Sequence, residues 1–198
     1  MTVMHSGPEL PGDSSPDSSD VRMISDAIGR FGHPVTRMLL GSTGFTMPAL
    51  EAIVGAELHV QVVCQGDVAA SAVPATATVP LEVSGIDRVL VRRSCLITAD
   101  MVTASVNDVV AVRELAAASG IDALHIPIGT GLISRGVSQR RRMLRAGLMS
   151  WPDGRPCAMR AYVMELEDRP VCYIREAFNP DVIPPDHSQL SGDDLRPR

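Results

Sequence analysis

Two runs near the end of the chain restrict its fold more than any other feature. Arg160 to Leu166 and Val171 to Phe178 both alternate, and Glu167-Asp168-Arg169-Pro170 separates them. Period-two alternation suits a half-buried strand, and turn-forming residues between two such runs predict an antiparallel hairpin. The same period recurs upstream. In Leu58-His59-Val60-Gln61-Val62-Val63-Cys64-Gln65, the positions Leu58, Val60, Val62 and Cys64 share one face, and Arg88 to Ile97 reads as a strand with apolar or β-branched residues on both faces. Thr46 precedes Met47-Pro48, and the run Ala49 to Val54 stops at Gly55, which predicts a short capped helix. Asn107 to Ser119 fits either type: Val109, Val112 and Ala116 share a helix face, whereas Val109-Val110-Ala111-Val112 suits a strand. Hairpin-linked strands with a few helices predict an α+β fold with a largely antiparallel sheet flanked by helices.

At 198 residues and 45% hydrophobic, the chain has material for one domain able to enclose a small ligand. Residues 1–20 are Ser-, Pro-, Gly- and Asp-rich and are expected to be a disordered lead; residues 21–185 form the expected domain, and residues 186–198 a flexible tail. A net charge of -5 argues against a nucleic-acid surface, which needs concentrated Lys and Arg. No apolar run is long enough for a signal peptide or membrane span, so no membrane partner is expected. Cys64, Cys95, Cys157 and Cys172 form no CxxC pair, which suits small core hydrophobes and a reducing cytoplasm.

Two charged residues sit on strand faces that look inward. Arg92 shares its face with Leu90, Ser94 and Leu96, where a guanidinium needs an anionic partner to offset lost hydration; a bound carboxylate is one. Glu176 shares its face with Cys172, Ile174 and Phe178, a setting expected to raise its pKa and make it a proton donor or acceptor. The alternative is a buried ion pair, of the two with each other or involving Arg93 or Arg113. Pro127-Ile128-Gly129-Thr130-Gly131-Leu132 is a small-residue loop whose amides could hold a carboxylate or hydroxyl. Arg140-Arg141-Arg142 with Arg145 reads as a solvated helix face, or as a device in which one arginine draws an anionic substrate inward. His5, His33, His59, His125 and His187 form no HxH or HExxH arrangement, so no metal site is expected, and GxSxG and GxxxxGK[ST] are missing.

Several separated segments together resemble the chorismate lyase-like family. Arg37-Met38-Leu39-Leu40, Gly44, Thr46 and Leu50-Glu51-Ala52 are similar to its opening, and Val60 to Gln65 to its first core strand. Val89 to Leu96 resembles the strand carrying its substrate-binding arginine, here Arg92, and Val110-Ala111-Val112-Arg113-Glu114 the next strand, which favours β for that segment. Ile126-Pro127-Ile128-Gly129 is similar to its Pro-Leu-Gly loop, with Ile128 for leucine. Arg160-Ala161-Tyr162, Arg169-Pro170 and Ile174 to Phe178 resemble its closing hairpin with the functional glutamate, here Glu176. The resemblance implies a chorismate pyruvate-lyase that needs no cofactor, with a ligand sealed beneath helical flaps. It implies catalytic roles for Glu176 and Arg92, substrate contact by Ile128, Gly129, Arg113, Gln65 and Arg160, and a monomer or homodimer. Two alternatives stand beside the lyase: a same-fold enzyme for another carboxylated intermediate, and a non-catalytic small-carboxylate-binding sensor, since effector domains of transcription factors share this fold. Against the sensor, the chain shows no helix-turn-helix segment.

Overall fold

The computed structural model describes residues 18–123, 128, 131–132, 136 and 138–189. Three helices come first, α1 (Ser18–Gly29), α2 (Pro34–Gly41) and α3 (Thr46–Val54), followed by strand β1 (Leu58–Ala69). Short helical turns at Ala70–Ala72 and Val79–Leu81 bracket α4 (Ala75–Thr78). Strands β2 (Arg88–Thr98) and β3 (Thr103–Val112) form a hairpin, α5 (Arg113–Ser119) follows, and β4 (Arg140–Ser150), β5 (Pro156–Leu166) and β6 (Arg169–Phe178) complete the series. The fold is α+β: among the described residues, six strands form one sheet in the order β1-β2-β3-β6-β5-β4, and every neighbouring pair is antiparallel.

The closing hairpin forms as its alternation predicts, and its turn is tighter than the composition suggests. Glu167 and Asp168 both adopt positive φ, 50° and 59°, the twist that joins two strands through two residues. Pro170 enters β6 beside a register irregularity opposite Glu165, where a missing N–H is tolerated. The ambiguous segment resolves into both types in succession. It is strand through Val112 and helix from Arg113, so the reading of Arg113 and Glu114 as strand is corrected. The run Leu115-Ala116-Ala117-Ala118 favours helix, and Gly120 stops it in the left-handed region at φ 73°.

The arginine run is corrected as well. Arg140 to Arg142 and Arg145 lie on an edge strand, β4, and not on a helix. Arg140 and Arg142 share one side and both bind Glu165 of β5, whereas Arg141 between them points to the opposite face.

Both sheet faces are covered. On one, Leu39, Leu40 and Leu50 of α2 and α3 pack on Leu58, Leu96 and Phe178, while Ala116 and Ile121 pack on Leu90, Val109 and Ile174. On the other, Ala70, Ala77 and Leu81 cover Val89, Val110 and Val163. The chain returns to its start: His187 pairs with Phe31 across an isolated bridge, ring centroids 4.5 Å apart. Among the described residues, no helix is long and apolar enough to cross a membrane.

Candidate functional site

The antiparallel register aligns two rows of side chains on the face beneath α3. One row runs Gln65, Arg92, Val109, Ile174, Tyr162, Met143 across β1, β2, β3, β6, β5 and β4. The adjacent row runs Val62, Ser94, Asn107, Glu176, Arg160, Ala146. Side chains two apart on a strand share a face, so Arg92 with Ser94 and Ile174 with Glu176 all project to this side. A cavity of about 150 Å³ lies between these rows and Phe45, Thr46, Met47 and Pro48 of the α3 start, with Ile128 also lining it. Arg92 and Glu176 therefore line the same cavity, together with Ser94, Asn107, Arg141 and Tyr162.

Arg92 is only 4% exposed. Its Nε donates to Gln65 Oε1 at 2.6 Å, and its Nη2 donates to the Ile121 and Ala123 carbonyl oxygens at 2.8 and 2.9 Å. Gln65 is fixed in turn by donating to the Asp122 carbonyl. Burial lowers the Arg92 pKa, with Asp122 opposing, yet a guanidinium stays charged at any physiological pH. Among the described residues Nη1 donates to nothing. The charge thus lines the cavity without a carboxylate partner among the described residues.

Glu176 differs from its expectation. Oε2 accepts from Arg160 Nε at 2.6 Å, while Oε1 accepts from Thr46 Oγ1 at 2.8 Å and Tyr162 Oη at 3.2 Å. Burial pushes its carboxyl up, but the charge and hydrogen bond of Arg160, then Thr46 and Arg141, outweigh it and hold the pKa below the ordinary glutamate value. The expected raised pKa is corrected. The ion-pair alternative holds for Glu176 with a partner not weighed, Arg160, while Arg92 makes no ion pair. Arg160 is fully buried and spends its other donors on the Leu39 and Ser42 carbonyls and on Thr46. Burial and Glu176 push the Tyr162 hydroxyl far above its ordinary pKa, so it stays a neutral donor.

The remaining expected contacts divide. Ile128 lines the cavity; Gln65 and Arg160 stand behind it, holding Arg92 and Glu176. Arg113 lies outside, bound to Asp67 at 3.0 Å and Asp122 at 3.2 Å, because it opens α5 rather than continuing β3. Gly129 lies outside the described residues. Thr46, Tyr162 and Arg141 were not anticipated as individual site residues. Thr46 read as a helix cap, yet it is the first helical residue of α3 and gives its hydroxyl to Glu176. Among the described residues, no cluster of three His, Cys, Asp or Glu could hold a metal ion.

PhnF from Mycobacterium smegmatis is a similar solved structure, with a TM-score of 0.55 at 16% identity, covering 72% of this chain and 67% of PhnF. The effector domain of that PhnF gives 0.52 at 17% identity, covering 71% and 91%. A PhnF C-terminal domain gives 0.50 at 11%, covering 66% and 88%. The chain shares the α+β fold of the PhnF effector domain. No family model matches the chain, and no curated protein matches it significantly. What the comparisons bear out of the expected architecture is therefore the α+β fold with its antiparallel sheet and flanking helices. The expectation of a lyase is corrected by these matches, which are to PhnF and its effector domain and not to a lyase. The geometry also removes the residue-level argument for an enzyme. A glutamate on an inward face was taken for a proton handler, whereas this one has three donors and a depressed pKa.

Proposed function

We propose that the chain is a non-catalytic binding domain of the effector type, which senses a small carboxylate held in the cavity beneath α3. One observation carries this reading: the buried Arg92 guanidinium, held by Gln65 and two carbonyls, lines the cavity with no carboxylate partner and with Nη1 unengaged among the described residues. A buried charge without a counter-ion is costly, and a carboxylate accepting from that guanidinium offsets the cost. The chain's 91% cover of the PhnF effector domain supports the sensor reading. So does Glu176, which has no proton to give at neutral pH.

Calorimetric titration with small carboxylates tests it. Benzoate-sized acids should bind, and Arg92→Gln should weaken them at least tenfold, as expected when a charged hydrogen bond of about 1.5–3 kcal/mol is lost. Incubation with chorismate should release no pyruvate. Steady release of pyruvate, or affinity indifferent to Arg92, would overturn the reading.

A further inference from the structure

If the cavity is a ligand site, as proposed above, its charge count restricts what it takes. Glu176 and Arg160 cancel one another at 2.6 Å. What remains facing the cavity is Arg92 on β2 and Arg141 on β4. Among the described residues neither has a carboxylate partner, although Arg142, Arg155 and Arg175 each do. Arg141 Nη1 donates to the Gly44 carbonyl and lies 3.4 Å from Thr46 Oγ1, while its Nε and Nη2 donate to no described residue. Its guanidinium carbon stands 4.9 Å from the Tyr162 ring centroid and 5.7 Å from that of Phe45, so the ring faces hold the charge over β5.

The two cations enter the cavity from opposite ends of the sheet, Arg92 held on the β1 side by Gln65 and Arg141 on the β4 side over Tyr162. Their strands are four steps apart in the sheet, about 19 Å at the backbone. Val109 and Ile174 lie between Arg92 and Tyr162 in the cross-strand row, and Arg141 sits above Tyr162. The middle of the cavity is accordingly apolar, with Met164 and Met47 adding to it. A void of this volume accommodates one benzene-sized group. We infer that the ligand is a dianion: a short apolar body carrying two anionic groups, one received by Arg92 and the other by Arg141.

Pairs of acids that differ by one carboxylate test this. Benzoate against benzene-1,4-dicarboxylate, and pentanoate against pentanedioate, are titrated into the wild-type chain, Arg141→Gln and Arg141→Lys, with folding checked by circular dichroism. At least one diacid should bind tenfold or more tightly than its monoacid. Arg141→Gln should bring that ratio within twofold of unity, and Arg141→Lys should keep the ratio above threefold. Should the glutamine variant fail to fold, Arg141→Met takes its place: a ratio within twofold of unity supports the inference, and a ratio equal to that of wild type overturns it. Diacids that bind no better than Arg92-dependent monoacids overturn the dianion while leaving the sensor reading intact. A chain that binds none of the four acids overturns both.

Discussion

Glu176 shows how one side chain can be placed correctly and given the wrong chemistry. Its strand face was readable from Cys172, Ile174 and Phe178, because a face follows from a period of two along one segment. Its protonation was not readable, because that depends on Arg160, Thr46 and Tyr162, which come from β5 and α3 and meet it only through sheet register and helix packing. The same holds for Arg92, whose inward face was legible while its restraint by Gln65 and the Ile121 and Ala123 carbonyls was not. The consequence for mutation is specific. Glu176→Ala leaves Arg160 buried and unpaired, and should lower stability by about 3–5 kcal/mol. Replacing both partners with methionine should cost less than that single change, since no unpaired charge is left buried and the lost donor to the Leu39 and Ser42 carbonyls is the smaller penalty. Chemical denaturation of the two variants checks the order; a single variant no less stable than the double would show that the pair is not the anchor described here.

At the scale of elements, the legible parts were those whose character alternates. β1, β2 and the β5–β6 hairpin carry that signal, and the model extends each by only a few residues. β4 was misread because three consecutive arginines hide a period of two: Arg140 and Arg142 serve Glu165, and Arg141 serves the cavity. A pattern of residue types cannot separate neighbours of identical type on opposite faces. The hairpin turn offers a test at this scale. Asp168 holds φ 59°, a conformation that costs a residue with Cβ roughly 1–2 kcal/mol and glycine nothing. Asp168 is exposed, and its approach to Arg140 is a long 3.7 Å, so little is lost with its carboxylate. Asp168→Gly should raise stability by about 0.5–1 kcal/mol, allowing for glycine's freedom in the unfolded chain, while Asp168→Val should lower it. Thermal unfolding of both variants distinguishes them, and a glycine variant that melts lower than wild type would show that the turn is not strained.

The whole molecule should lose stability at both ends of the pH scale for separate reasons. On the acid side, the salt-bridged carboxyls Glu176, Asp108 and Glu165 all have folded pKa values depressed below their ordinary ones. A depressed acid contributes stability that is complete above its unfolded pKa and lost as pH falls through the folded value. His187, whose pKa is lowered chiefly by burial, adds an earlier decline, because unfolding lets it take up a proton below its ordinary 6.5. On the alkaline side the thiols decide. Burial pushes Cys157 to about 11 and Cys172 to about 12, against an unfolded 9.0. Between 9 and those values the unfolded chain has released protons that the folded chain retains, so stability falls as pH rises through that window. Urea midpoints measured across pH should therefore form a plateau between about 7 and 8.5, with a decline on either side. Replacing Cys172 with alanine will lower the plateau through the cavity it leaves, but it should also flatten the alkaline limb relative to that plateau, because one of the groups that drive the decline is gone, while Cys157 and the Tyr162 hydroxyl remain. An alkaline limb of unchanged slope in this variant would mean that neither the burial of the thiol nor its retained proton governs the high-pH transition.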